Sequence, residues 1–217
     1  MIDKKIIVEA LNKLKEQKKR NFSQSFDLIV NLKDMDLKKT ENQVDFFAQI
    51  PHGNGKKVTV CALVDQELAD ESRKVCNETI VIEDFQKYGK NKKLAKKLAR
   101  KYDYFIAQGN LMAQVATNFG RALGPKGKMP NPKAGCIVTP KSNLRQLHET
   151  LQRTVRVSAR TVPIIQCLIG NETMEHEKVA ENAASLYEQI THHLPNEELN
   201  IKSAMVKLTM SSPIKIK

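Results

Sequence analysis

The chain has 217 residues and carries 36 Lys and Arg against 24 Asp and Glu, a net charge of +12. Apolar residues at 41% and charged residues at 28% suit a chain that buries a core, and no run approaches 18 apolar residues, which excludes a membrane-spanning helix. A length near 200 allows one large domain or two small ones, and a polycation of this size points first to nucleic acid.

In chain order, MIDKKIIVEALNKLK opens directly on an amphipathic pattern with no apolar leader region, so secretion is not expected. The spacing predicts a helix over 3–20 with Ile6, Ile7, Ala10, Leu11 and Leu14 on one stripe. SFDLIVNL (25–32) and QVDFFAQI (43–50) alternate and read as half-buried strands, able to pair with each other antiparallel. PHGNGKK (51–57) is a turn or linker. The grammar then changes. VTVCALV (58–64) is apolar without alternation, as in a strand covered on both faces. A helix is predicted over 67–76, a short strand over 79–84, and a helix over 87–101 with Leu94 and Leu98 inward. YDYFIA (102–107) reads as another buried strand, and 110–123 as a helix with Leu111, Val115 and Phe119 in line. A basic irregular loop (124–135) leads to CIVT and to a helix capped by Thr139, with Pro140 in its first turn, that runs to about Arg153. After 154 the alternating style returns in two strands, a helix over 175–193 and a last strand, IKSAMVKLTM (201–210).

The ends thus share one style and the middle another. The expected fold is an α+β domain built from both termini (1–54 plus 155–217), with an antiparallel sheet and helices. Into it is inserted a basic α/β, Rossmann-like parallel-sheet domain (55–154).

Charge follows the same division. Residues 87–160 hold 17 cations and only two acids, whereas 1–86 hold 14 against 15 and 161–217 hold 5 against 7. A lysine run is often no more than a solvated helix face. Seventy-four residues with two acids are harder to explain without a polyanion. Catalytic signals are missing. The histidines (His52, His148, His176, His192, His193) form no HExxH, and neighbouring His192 and His193 would point about 100° apart on a helix. Gly127–Lys128 ends like a P-loop, but Ala122 stands at the required first glycine and Met129 at the Ser/Thr position. Cys61, Cys76, Cys136 and Cys167 lie far apart and read as reduced, buried thiols of a cytosolic protein. No cofactor, metal or catalytic residue is expected. The alternatives to an RNA-binding structural protein are a nucleotide-dependent enzyme on the α/β middle and a non-specific basic RNA chaperone.

GRALGPKGKMPNPKAG (120–135) combines prolines that pre-order the backbone, glycines that allow close approach, and Lys126, Lys128 and Lys133. This stretch resembles the signature of the ribosomal protein L-one family, the proteins of the large subunit's mobile lateral stalk. NFSQSFDLIVNL, IPHGNGKKV and the terminal VKLTMSSP fit the same family in order, in the archaeal style.

The resemblance implies a first domain made from both termini and binding to large-subunit ribosomal RNA at the stalk that contacts exiting transfer RNA. It implies repression of translation through the protein's own messenger RNA, a cytoplasmic location on the ribosome, no membrane, and a monomer when free. It carries the main RNA contacts to Phe22 and Ser25 and to Thr209, Met210 and Ser211, with glycine common in bacterial members at the last position. On their own chemistry, Phe22 and Met210 suit ribose or base faces, and Ser25 and Thr209 offer hydroxyls for 2′-OH groups. Lys33, Lys56, Arg160 and Lys207 are candidate phosphate contacts.

Overall fold

The alternating ends and the unbroken middle form two different kinds of sheet. The structure, a computed structural model, describes residues 2–17, 20–140 and 142–217, with the side chain of Glu41 outside that description. In chain order it contains α1 (Lys4–Glu16), β1 (Ser25–Leu32), β2 (Val44–Gln49), β3 (Val60–Val64), α2 (Gln66–Val75), β4 (Glu78–Val81), α3 (Phe85–Lys90) and α4 (Lys92–Lys101). There follow β5 (Tyr104–Gln108), α5 (Met112–Leu123), β6 (Ile137–Val138), α6 (Leu144–Gln152), β7 (Thr154–Ala159), β8 (Ile164–Asn171), α7 (His176–His193), β9 (Ile201–Leu208) and β10 (Ile214–Lys215). Residues 1–56 and 153–217 form one compact unit, and 57–152 form the other.

In the terminal unit an antiparallel sheet runs β10-β9-β1-β8. Period-two alternation turns Phe26, Leu28 and Val30 of β1, Ile165, Cys167 and Ile169 of β8, and Ala204, Val206 and Leu208 of β9 into one core. Two helices close it, through Ile7, Leu11 and Leu14 of α1 and Val179, Ala183, Leu186 and Ile190 of α7. Asp3 caps α1 by accepting the Lys5 N–H at 3.0 Å.

Several expectations are corrected here. The first helix ends at Glu16 rather than 20, with Lys18 and Lys19 outside the described residues, and Ile6 is exposed instead of sharing the buried stripe. Strands β1 and β2 do not pair. β1 lies between β8 and β9, while β2 pairs with β7 in a separate two-stranded ribbon. Alternation specifies which face of a strand is buried, not its partner. The intervening segment, with Asp34 at φ 55° and a 3-10 turn at Thr40–Asn42, is no hairpin turn.

In the middle unit the sheet is parallel, ordered β4-β3-β5-β6. Cys61, Leu63, Phe105 and Ala107 face the layer of α3, α4 and α5. The alternate residues Val60, Ala62, Val64 and Ile106 are equally buried, which is why this stretch shows no alternation. The predicted helix 87–101 is two helices broken at Asn91, whose side chain accepts from the Lys93 and Leu94 N–H groups. That break resets the helical phase. Ala95, Leu98 and Ala99 are buried, and Leu94 is exposed rather than inward.

Thr139 is not a helix cap. Its N–H donates to Ser142 Oγ, and Asn143 caps α6 by accepting from Arg145 and Gln146, so the helix starts at Leu144. Lys141, within the predicted span, lies outside the described residues. All four cysteines are free and buried; burial pushes Cys76 and Cys136 up to about 11 and Cys167 to about 12, the range of inert thiols.

The fold also redistributes the charge. The terminal unit carries 19 cations and 15 acids, the middle unit 17 and 9. Seven acids between Asp65 and Asp84 share the middle unit with the lysine run, while Arg153, Arg156 and Arg160 belong to the terminal unit. The local excess is therefore confined to the α3–α5 side and the loop after it.

Candidate nucleic-acid interface

The start of β1 and the end of β9 meet at one end of the antiparallel sheet, 184 residues apart in sequence. Thr209 clasps Ser25: its N–H donates to the Ser25 carbonyl at 3.1 Å, and its Oγ1 accepts the Ser25 N–H at 3.2 Å. Ser211 closes the next turn, with Oγ accepting the Leu208 N–H at 2.8 Å and its own N–H donating to the Leu208 carbonyl at 3.1 Å. Ser211 has no positive φ, so its backbone makes no demand for glycine. Phe22 and Met210 flank this clasp and are 52% and 57% exposed, two large apolar side chains held outside any core.

The scaffold beneath is polar and mostly hidden. Gln24 is buried; its Oε1 accepts the Met210 N–H at 3.1 Å, its own N–H donates to Glu172 Oε2 at 3.0 Å, and its carbonyl accepts the Glu172 N–H. Ser23 donates to Asn171 Oδ1 at 2.7 Å. The turn carrying Lys56 packs here too, because a Cβ on Gly55 (φ 72°) would stand 2.8 Å from Met174 Sδ and 2.9 Å from Asn171 Cβ. Sequence reasoning missed Gln24, Asn171 and Glu172. Only Gln24 carried a signal, being in phase with inward-facing Phe26 and Leu28.

The candidate phosphate contacts divide. Lys207 lies on β9 opposite Asp27, two residues before Thr209, and is brought to the site. Lys33 is not; it follows β1 at the far end of the strand, roughly 25 Å away at the usual rise, where its N–H donates to the Asn200 carbonyl. Arg160 pairs with Asp45 at the start of β2, alongside Arg156, whose Nε donates to Asp45 at 3.0 Å. Burial raises the Asp45 carboxyl, but hydrogen bonds from both guanidiniums outweigh it and hold the pKa below the usual value. Arg160 thus already has a carboxylate partner in Asp45, away from the Ser25–Thr209 clasp.

In the middle unit, Lys128 Nζ donates to the Tyr102 carbonyl at 2.6 Å, while Lys126 and Lys133 are exposed. Loss of hydration, then the charges of Arg100 and Lys128, push the Lys126 ammonium below its ordinary pKa. Gly127 (φ 63°) and Gly135 (φ 71°) end the two 3-10 turns that give the loop its shape.

Burial raises Asp27 above the usual carboxylate range, against the opposing pull of Lys207. A raised folded-state pKa means stability that is full below the unfolded pKa and is lost as pH rises through the folded one. Asp27→Asn should therefore raise the melting temperature at pH 7 and leave it unchanged near pH 3, in paired thermal scans. The same substitution removes a negative charge beside Lys207 and should tighten RNA binding.

The arrangement offers exposed apolar faces, fixed hydroxyls and a cation at one sheet end, the equipment for ribose, base and phosphate contact without catalysis. Among the described residues no cluster of His, Cys, Asp and Glu could hold a metal ion, and no helix is long and apolar enough to cross a membrane. The profile of the ribosomal protein L1p/L10e family matches residues 14–212. The chain is 37% identical over 216 residues to the large ribosomal subunit protein uL1 of Methanothermococcus thermolithotrophicus, covering 99% of each chain. It is 37% identical to that of Thermococcus kodakarensis (99% of this chain, 98% of the relative) and 38% identical to that of Nanoarchaeum equitans (97% and 99%). The chain belongs to the ribosomal protein L1p/L10e family, whose members are structural proteins of the ribosome rather than enzymes, and its similarity is to the archaeal type.

Proposed function

We propose that this protein is a structural component of the large ribosomal subunit that binds large-subunit ribosomal RNA at the mobile lateral stalk, through the surface formed by Phe22, Ser25, Thr209, Met210 and Ser211. In this role it assists release of exiting transfer RNA, works on the cytoplasmic ribosome and is a monomer when free. It also represses translation by binding a similar structure in its own messenger RNA. The supporting observation is the clasp itself: two segments distant in sequence are pinned together so that Phe22 and Met210 stay exposed beside Thr209 and Lys207. Single exposed apolar side chains are common, but two of them held at one sheet end beside a cation make a patch suited to a partner. The terminal unit has a net charge of only +4, so specificity arises from fitted contacts rather than bulk charge, with phosphates adding affinity.

Hydroxyl-radical footprinting on large-subunit RNA and on the protein's own transcript tests the reading. One compact protected element is expected in each, with matching local structure. Protection of ribosomal RNA alone would remove the repressor role, and absence of any localised footprint would remove the whole reading.

A further inference from the structure

Between α3, α4 and α5 lies a cavity of about 140 Å³, walled by Tyr88, Lys92, Lys96, Thr117, Asn118 and Arg121. Sites for whole small molecules occupy roughly 300–1,000 Å³, so this one is sized for a single ring or phosphate of a longer chain. Three cations converge on it, and among the described residues none of them has an ion-pair partner.

Stability does not account for this charge. α4 has no acid in its first turn, where Lys92 and Lys93 stand at the positive end of the helix dipole. Tyr88 is fixed by packing on Phe119, with ring centroids 5.4 Å apart. Gly89 lets α3 approach α5 closely, since a Cβ there would lie 2.3 Å from Asn118 Oδ1. From the cavity the positive charge continues at intervals of four residues, Lys92, Lys96 and Arg100, about 6 Å apart along the helix axis. Arg100 in turn lies near enough to Lys126 to depress its pKa, which links the ridge to the basic loop.

We propose that the α3–α5 cavity and the Lys92–Lys96–Arg100 ridge form a second RNA site, separate from the Phe22–Met210 surface, which takes an unpaired strand. One phosphate sits among Lys92, Lys96 and Arg121, and the attached nucleotide places its ring against Tyr88. A stacked duplex cannot offer a single ring to so small a cavity, whereas a cationic track beside an aromatic wall suits a single strand. The proposal rests on the reading that the partner is RNA, but it requires nothing of the terminal surface.

The test uses the full-length protein, a fluorescein-labelled 12-nucleotide oligouridylate and an RNA duplex of the same length. Fluorescence anisotropy at several salt concentrations should show tighter binding of the single strand. Lys92→Gln/Lys96→Gln/Arg121→Gln should weaken that binding at least tenfold and reduce the salt slope by about 0.7, the share of the one phosphate held there. Its melting temperature should match that of the parent. A control of equal charge loss away from the cavity, Lys87→Gln/Lys90→Gln/Lys93→Gln, should weaken binding much less. Equal losses in the two triples, or wild-type affinity in the first, would overturn the site, as would a preference for the duplex. The terminal surface is read separately, by titrating Phe22→Ala against large-subunit RNA, so either site can fail while the other stands.

Discussion

Asn182→Ala should destabilise the terminal unit by on the order of 3 kcal/mol, which lowers its melting temperature by roughly 10 °C. Asn182 is fully buried on α7 and uses its whole carboxamide. Nδ2 donates to the Gly53 carbonyl at 2.7 Å and to the Ile169 carbonyl at 2.8 Å, and Oδ1 accepts the His52 N–H at 3.0 Å. Truncation removes the partner of two buried carbonyls and of the part-buried His52 N–H, each buried group costing about 1–3 kcal/mol before relaxation or entry of water. Two turns along α7, Gln189 accepts the Gln49 N–H and donates to the Gln49 carbonyl, so one helix holds the chain from 49 to 53 through side-chain amides. Asn182→Asp separates lost volume from lost donors. Its carboxylate can accept from His52 but faces two carbonyls. Protonation restores a donor, so its stability should recover as pH falls. Damage should also reach the proposed RNA surface, because the same turn seats Gly55 on Asn171 and Met174, and Asn171 pairs with Ser25. A melting temperature within a degree of the parent would show that the pairing is dispensable.

These polar supports mark where the sequence stops being informative. Alternation in β1, β8 and β9 and its absence in β3 and β5 were readable because each reports how many faces are buried, and that was enough for the fold class. Strand partners were not readable: nothing in VDFFAQ distinguishes β1 from β7 as its neighbour. Helix ends went wrong where a capping asparagine competed with a plausible pattern, at Asn91 and Asn143. At the candidate site, motif resemblance named Phe22, Ser25, Thr209, Met210 and Ser211, and the fold brings them to one sheet end. Charge alone proposed Lys33 and Arg160 for the same surface, and the fold puts one at the opposite strand end and the other in a pair with Asp45. A cation count has no way to see either outcome. Buried amides such as Gln24 and Asn182 have only their phase in a strand or helix to betray them, and that signal is one residue deep.

Phe22→Ala should reduce affinity for large-subunit RNA by roughly 10- to 100-fold while leaving the melting temperature within about a degree. Replacing a ring that stacks on a base or ribose costs about 1–3 kcal/mol, and 1.4 kcal/mol is a factor of ten. The stability effect is small because Phe22 is half exposed and lies outside the hydrophobic core of its unit. Thr209 behaves differently. Thr209→Val keeps the side-chain shape but removes the hydroxyl that accepts the Ser25 N–H, so it should lower stability by about 1 kcal/mol and affinity together. Thr209→Ser keeps the hydroxyl and should recover most of both. Filter binding at two salt concentrations, beside thermal melts, separates the cases: loss of stacking lowers affinity equally at both, whereas a lost phosphate contact changes the slope. If Phe22→Ala binds like the parent while Thr209→Val does not, the ring is a bystander and RNA is recognised by the clasped backbone of Ser25 and Thr209.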